Sequence, residues 1–178
     1  MNALAKLTQL SPLSPKALSR ALRTGTGDAL DKRRGVLALS LTAAGSMGLI
    51  SLYQMGVIKH LPEPPLPFLD ADKVDASEEA YAYFSAPDGV LGFASYAATA
   101  VLAAIGGPDR ARTMPWLPLL AAVKTGADAA QAARLTRDQW TEHRAFCSWC
   151  LLAAAATFAT VPLVLPEARD ALRRLRDG

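Results

Sequence analysis

HRAFCSWCLLAAAATFATVPLVLP, residues 143–166, sets the only two cysteines of the chain, Cys147 and Cys150, at the head of an apolar run. From residue 145 to residue 166 there are 22 positions without an Asp, Glu, Lys or Arg. About 20 helical residues cross the hydrocarbon core of a bilayer. The stretch is therefore predicted to be a spanning helix that opens with a CxxC pair where membrane meets water.

Working outward, residues 36–58 give 23 uncharged positions and residues 90–107 give 18, while residues 115–135 are apolar but interrupted by Lys124, Asp128, Gln131 and Arg134. Four spans are expected, because an even count gathers the basic segments on one side. Seven Lys and Arg lie in residues 1–35 (Lys6, Lys16, Arg20, Arg23, Lys32, Arg33, Arg34), two in the second connection (Arg110, Arg112) and four in the tail (Arg169, Arg173, Arg174, Arg176), against five in the other two connections (Lys59, Lys73, Arg134, Arg137, Arg144). Lys and Arg concentrate in cytoplasmic segments, so both termini are expected in the cytoplasm and the CxxC on the outer face. In a bacterium this is the periplasmic side of the inner membrane, where disulfides persist.

With 178 residues, 51% of them hydrophobic, and a mean hydropathy of +0.17, the chain has room for one domain. A soluble bundle would need a polar stripe every three or four residues, which the first, second and fourth runs lack. A cleaved signal peptide is not expected, since a long polar and basic segment precedes residue 36 and no small-residue cleavage pattern follows the run. The expected fold is all-α, an integral membrane four-helix bundle with a long outer loop between helices 1 and 2. Residues 1–35 form a basic cytoplasmic segment, 36–166 the transmembrane domain and 167–178 a cytoplasmic tail.

Ser14 before Pro15 reads as a helix cap, and Ala17, Leu18, Ala21 and Leu22 then form an apolar face that either rests on lipid headgroups or simply leads into the first span. The outer loop opens with LPEPPLPF, extended by its prolines, and Ser77 is placed to cap a short helix carrying Tyr81, Tyr83 and Phe84. Its acidic residues Glu63, Asp70, Asp72, Asp75, Glu78, Glu79 and Asp88 read as solvation or as a docking surface for a basic partner. Lys124 and Asp128, one turn apart, are expected to pair inside the bundle.

Cysteines three apart on a helix share one face. A closed zinc site takes four ligands, and beyond the cysteines the chain offers only His60 and His143, so no metal is expected. A c-type haem requires histidine after the second cysteine, where Leu151 stands. A structural disulfide closing so short a loop constrains the unfolded chain little. Redox exchange is what remains, with a lipid-soluble quinone as the natural electron acceptor at this depth. His143 and Arg144, one turn before Cys147, either favour the thiolate or anchor the span. Phe146 and Trp149 either line a quinone site or serve as interfacial aromatics.

Four spans, an outer first loop and CSWC at residues 147–150 resemble the vitamin K epoxide reductase family, over about residues 36–166. ADKVDAS, residues 71–77, is similar to the family's motif around its second loop cysteine. APDGVLG, residues 86–92, is similar to the turn entering the second span. The resemblance implies that Cys147 exchanges with a thiol donor and that Cys150 faces the quinone. It also places Asp88 at an asparagine position of the quinone pocket, with Gly92 at the motif glycine and Tyr96 on the same helix. Ala71 stands where a loop cysteine is expected and Ala154 where the animal enzymes have a tyrosine.

The implied activity is that of a membrane thiol:quinone oxidoreductase, taking electrons from a periplasmic dithiol protein of thioredoxin fold and passing them to ubiquinone or menaquinone. Without the loop pair, the donor must reach Cys147 directly. Membrane lipid is the other expected partner and nucleic acid is not one. The alternative is a redox module relaying electrons to a thioredoxin-like or metal-handling partner without quinone chemistry of its own.

Overall fold

The computed structural model describes residues 13–82 and 84–177, so the expectations for Lys6 and Tyr83 lie outside the described residues. All regular structure among these residues is helical. Helix α1 (Pro15–Thr24) is capped as expected, the Ser14 hydroxyl accepting the Ala17 N–H at 3.4 Å with proline in the first turn. It is held at the start of α2 (Asp28–Gln54) by Arg34, whose guanidinium donates to the Leu22 and Gly25 carbonyls.

The remaining helices are α3 (Ala71–Asp75), α4 (Asp88–Ala104), α5 (Arg110–Thr113), α6 (Trp116–Asp138) and α7 (Ser148–Asp177). The four uncharged or weakly charged runs thus fall on the four long helices α2, α4, α6 and α7. Helix α2 lies along α4 and α7, and α7 also packs on α6, whereas α4 and α6 touch less. Small residues make these approaches close: Ala43, Ala153 and Ala156 are buried together, and small side chains are what let membrane helices meet.

Helices α2 and α7 are long and apolar enough to cross a bilayer, and α4 is apolar but shorter. Only 33% of the apolar window of α2 and of α7 is buried, where a core helix of a soluble protein would be mostly covered. Leu41, Val101, Val123 and Phe158 are among the large apolar side chains left outward.

The basic end of the molecule is more than a set of topological charges. Arg33 is buried and donates to the carbonyls of Ala103, Ile105, Gly106 and Gly107 at 2.8–3.2 Å, satisfying groups that the end of α4 leaves without helical partners. Arg110 is buried too, with Nε and Nη2 on the Glu167 carboxylate at 2.8 and 2.7 Å. Helix α7 runs through Pro162 and Pro166 to Asp177, so the expected tail after residue 166 continues the last helix without a break.

Candidate redox site

At the opposite end, residues 62–73 cross over the start of α7. The Asp70 N–H donates to the Phe146 carbonyl at 3.0 Å and the Phe146 N–H to the Phe68 carbonyl at 2.9 Å, a short parallel bridge between loop and helix lead-in. Glu63 accepts the N–H of Ala71 at 2.6 Å and of Ser148 at 3.4 Å, tying the loop to the first turns of α3 and α7. Asp70 caps α3 through the Lys73 N–H at 3.0 Å, and Asp72 accepts the Leu61 N–H at 2.8 Å while meeting His60 at 2.6 Å. Much of the acidity read as solvation therefore organises the loop. Ser77 makes no side-chain cap to the 3-10 turn Glu78–Tyr81, and Phe84 lies beyond that turn.

Both cysteines sit where α7 begins. The Cys147 carbonyl accepts the Leu151 N–H at 3.0 Å and its sulfur accepts the Cys150 N–H at 3.2 Å. Gln139 holds the Cys147 N–H at 3.1 Å. Cys147 has no exposed surface, enclosed in a cluster with Ile50, Leu61, Ala71, Val74 and Ala145. Cys150 is half-buried, and its sulfur donates to Asp75 Oδ1 at 3.5 Å. The two sulfurs and an Asp75 oxygen lie within 4.8 Å of one another. These are two thiols and one carboxyl, three donors where a closed zinc site takes four.

Cys150 lines a cavity of about 350 Å³ together with Asp75, Asp88, Gly92, Tyr96 and Ala154, a volume in the range of small-molecule sites. Three of the residues expected at a quinone pocket, Asp88, Gly92 and Tyr96, thus line the same cavity as Cys150. Gly92 leaves room for Met47, whose sulfur would stand 2.7 Å from an added Cβ. The Tyr96 and Thr157 hydroxyls meet at 3.1 Å, and Asp88 Oδ1 accepts the Gln54 amide at 2.7 Å.

Phe146 and Trp149 do not line this cavity. Residues 144–147 are not helical: the π-type turn Gln139–His143 ends at Arg144 in the left-handed region, φ 53°. This bend sends Phe146 against Trp140, ring centroids 5.5 Å apart, and draws Arg144 over the Trp140 ring at 5.8 Å. Trp149 turns to the loop, its indole N–H donating to the Pro62 carbonyl at 2.7 Å. Arg144 is thus occupied by an aromatic face, while His143 lines the cavity and approaches Glu79 at 3.9 Å.

A sequence model of the Vitamin K epoxide reductase family matches residues 35–165. The chain belongs to that family. No curated protein and no solved structure matches it significantly. Membership makes this vitamin K epoxide reductase relative an oxidoreductase of the membrane thiol and quinone class, and its long apolar helices fit the family's membrane embedding. Ala71, the residue expected from the resemblance to stand in place of a loop cysteine, is fully buried in the Cys147 cluster.

Residues that the sequence reading passed over complete the site. Gln54, on α2, donates to Asp88 and to the Asp75 carbonyl at 3.2 Å and accepts the Gly89 N–H at 3.0 Å, joining α2, α3 and α4 through one amide. Its one signal was an amide inside an uncharged run. Asp75 is 2% exposed and its Oδ2 has no hydrogen-bond partner. Burial pushes its carboxyl up to about 7 against the opposing pull of the adjacent Cys147 and Cys150 thiols, and the negative charges of Asp88 and Glu63 add to the rise.

Proposed function

We propose that this protein oxidises a dithiol partner of thioredoxin fold on the outer, periplasmic face of a bacterial inner membrane and passes the electrons to a quinone, ubiquinone or menaquinone. The observation that carries this reading is the division of the pair: Cys150 lines the cavity and Cys147 does not. The cavity surface is mostly apolar in area, and the carboxyls of Asp75, Glu79, Asp88, Asp128 and Asp138 and the His143 ring also line it. The apolar surface suits a quinone ring, and the unpartnered Asp75 Oδ2 is a group that such a ligand's oxygen would satisfy.

Starting from the bridged pair, a partner thiolate attacks Cys147, the Cys147–Cys150 bond breaks, and Cys150 leaves with its electron pair. The partner's second thiolate then resolves the mixed disulfide and frees Cys147. The bound quinone supplies the two-electron acceptor as the bridge reforms. Asp88, Gly92 and Tyr96 hold the ring against Cys150, Gln54 fixes Asp88, and the loop shields the cysteines from water. Because Cys147 is covered, the partner must first lift the loop segment that carries Leu61 and Ala71.

Purified protein in micelles, given a dithiol and a short-chain quinone, is expected to bleach the quinone absorbance, and Cys147→Ser or Cys150→Ser should each abolish this. Full activity in both variants overturns the mechanism. The rival relay without quinone chemistry is favoured by Ala154, which fills the cavity wall where animal enzymes carry a tyrosine. Organic extraction that recovers no quinone from the purified protein would select it.

A further inference from the structure

The carboxylate on the cavity wall has no place in the thiol exchange above, yet one oxygen meets the reacting sulfur and the other meets nothing. We infer that Asp75 is a catalytic residue, the proton acceptor for the Cys150 thiol and the donor that delivers this proton to an electron-accepting oxygen bound in the cavity.

Three observations carry it. Asp75 Oδ1 takes the Cys150 S–H hydrogen bond at 3.5 Å, which is the contact a base needs. Asp75 Oδ2 is buried and unpartnered, although leaving a buried polar atom unmet is costly. Asp75 and Cys150 line the same cavity, so the free oxygen and the sulfur serve one ligand. Fixation is good: Gln54 holds the Asp75 backbone carbonyl from α2, and α3 is tied to α7 through Glu63.

The step balances. As the Cys147–Cys150 bond forms, two electrons leave the thiol pair for the acceptor and two thiol protons are lost. The proton on Cys150 passes to Asp75 and from Asp75 to one acceptor oxygen. The Cys147 proton leaves to water while the loop is lifted for the partner, so that Cys147 enters bond formation as a thiolate, and water reaching the open cavity returns one proton to the second oxygen. A carboxyl with its titration near neutral pH accepts and gives protons at the working pH of the cell, and burial puts Asp75 there. The titratable groups around it are Asp88 on α4, Glu63 on the loop, Glu79 on the 3-10 turn, His143 on the turn before α7 and the two cysteines, and Tyr96 on α4 with Asp128 and Asp138 on α6 line the same cavity.

This inference rests on the proposed quinone reduction for its acceptor, and the test separates the two. Full-length protein, reduced and freed of quinone, is alkylated with iodoacetamide and labelling of Cys150 is followed by mass spectrometry. Removing a negative charge beside a sulfur favours its thiolate. Asp75→Asn should therefore speed Cys150 alkylation about tenfold at pH 9, where the Asp75 carboxyl is ionised, while dithiol-to-quinone turnover at pH 7 falls about 100-fold. A purely structural carboxylate would not give faster chemistry at the sulfur together with slower turnover in a variant that melts no lower than the wild type at pH 7. Superposable alkylation profiles, or full turnover in Asp75→Asn, overturn the assignment. If the wild type reduces no quinone, the proposed function fails, and the alkylation arm still decides whether Asp75 is coupled to Cys150. A second measurement needs no variant to fold: the reduced-minus-oxidised infrared spectrum of the wild type at pH 7 should contain a carboxyl band, and its absence counts against the proposal.

Discussion

The indole N–H of Trp149 donates to the Pro62 carbonyl at 2.7 Å, which latches the proline-rich start of the outer loop to the helical turn carrying both cysteines. Cys147 lies beneath this cover with no exposed surface. One such hydrogen bond contributes about 0.5–1.5 kcal/mol net, so Trp149→Phe should raise the open population, and with it the alkylation rate of Cys147, about 2- to 10-fold. Glu63→Gln should act in the same direction, because a neutral amide accepts the Ala71 and Ser148 N–H groups less strongly. An unchanged rate in both variants means that the loop is not the barrier to Cys147.

The Asp75 carboxyl also makes stability depend on pH. Its value in the folded protein is about 7, against an ordinary 3.8, so between these values the folded state holds a proton that the unfolded chain has released. Stability contributed by this group is full below about pH 4 and is lost as pH rises through 7. The shift corresponds to at most about 4 kcal/mol at 1.36 kcal/mol per unit. The melting temperature in micelles should fall from pH 5 to pH 8 in the wild type and fall less in Asp75→Asn. Parallel curves for the two would show that the carboxylate is not held in a desolvated place.

Helix approach sets a third expectation. A Cβ at Gly89 would meet the Ser51 backbone nitrogen and Ile50 Cγ2 at 3.0 Å and Gln54 Oε1 at 2.8 Å, and backbone cannot step aside as a side-chain tip can. Gly89→Ala should cost about 1–3 kcal/mol and disturb the Gln54 contact to Asp88. Gly45, on the same face-forming helix α2, has nothing within 4 Å of the corresponding position, so Gly45→Ala should lower the melting temperature little or not at all. Equal losses in the two variants would remove the packing argument.

Charge-free runs located the long helices because an apolar stretch without Asp, Glu, Lys or Arg has few other places to go. The cap at Ser14 and the Lys124–Asp128 pair, 2.6 Å apart, followed from spacing along one helix. What spacing could not reveal was direction across elements. Asp75 was one acid among several in a loop, and only the packing of α3 beneath the start of α7 turns it inward. Phe146 and Trp149 were expected either to line a quinone site or to serve as interfacial aromatics; the left-handed bend at Arg144 turns Phe146 onto Trp140 and the Pro62 carbonyl draws the Trp149 indole to the loop, and neither contact has a pattern in the sequence to flag it.

The buried pair at the basic end gives the last prediction. Arg110 and Glu167 side chains are 3% and 8% exposed and meet at 2.7 Å, and the same guanidinium also donates to the Leu102 and Ile105 carbonyls at the end of α4. Removing one partner of a buried pair leaves the other charge uncompensated, at a cost of about 3–5 kcal/mol. Glu167→Gln keeps an oxygen for Arg110 Nε and leaves the carbonyl contacts in place, so it should stand at the lower end of that range. Arg110→Met strands the Glu167 charge and the α4 carbonyls together, each unmet carbonyl adding about 1–3 kcal/mol, and should be the more damaging of the two. Thermal unfolding of both variants in one detergent checks the order. If Arg110→Met melts at or above Glu167→Gln, the guanidinium is not what closes the end of α4, and Arg33, which reaches neighbouring carbonyls from α2, suffices alone.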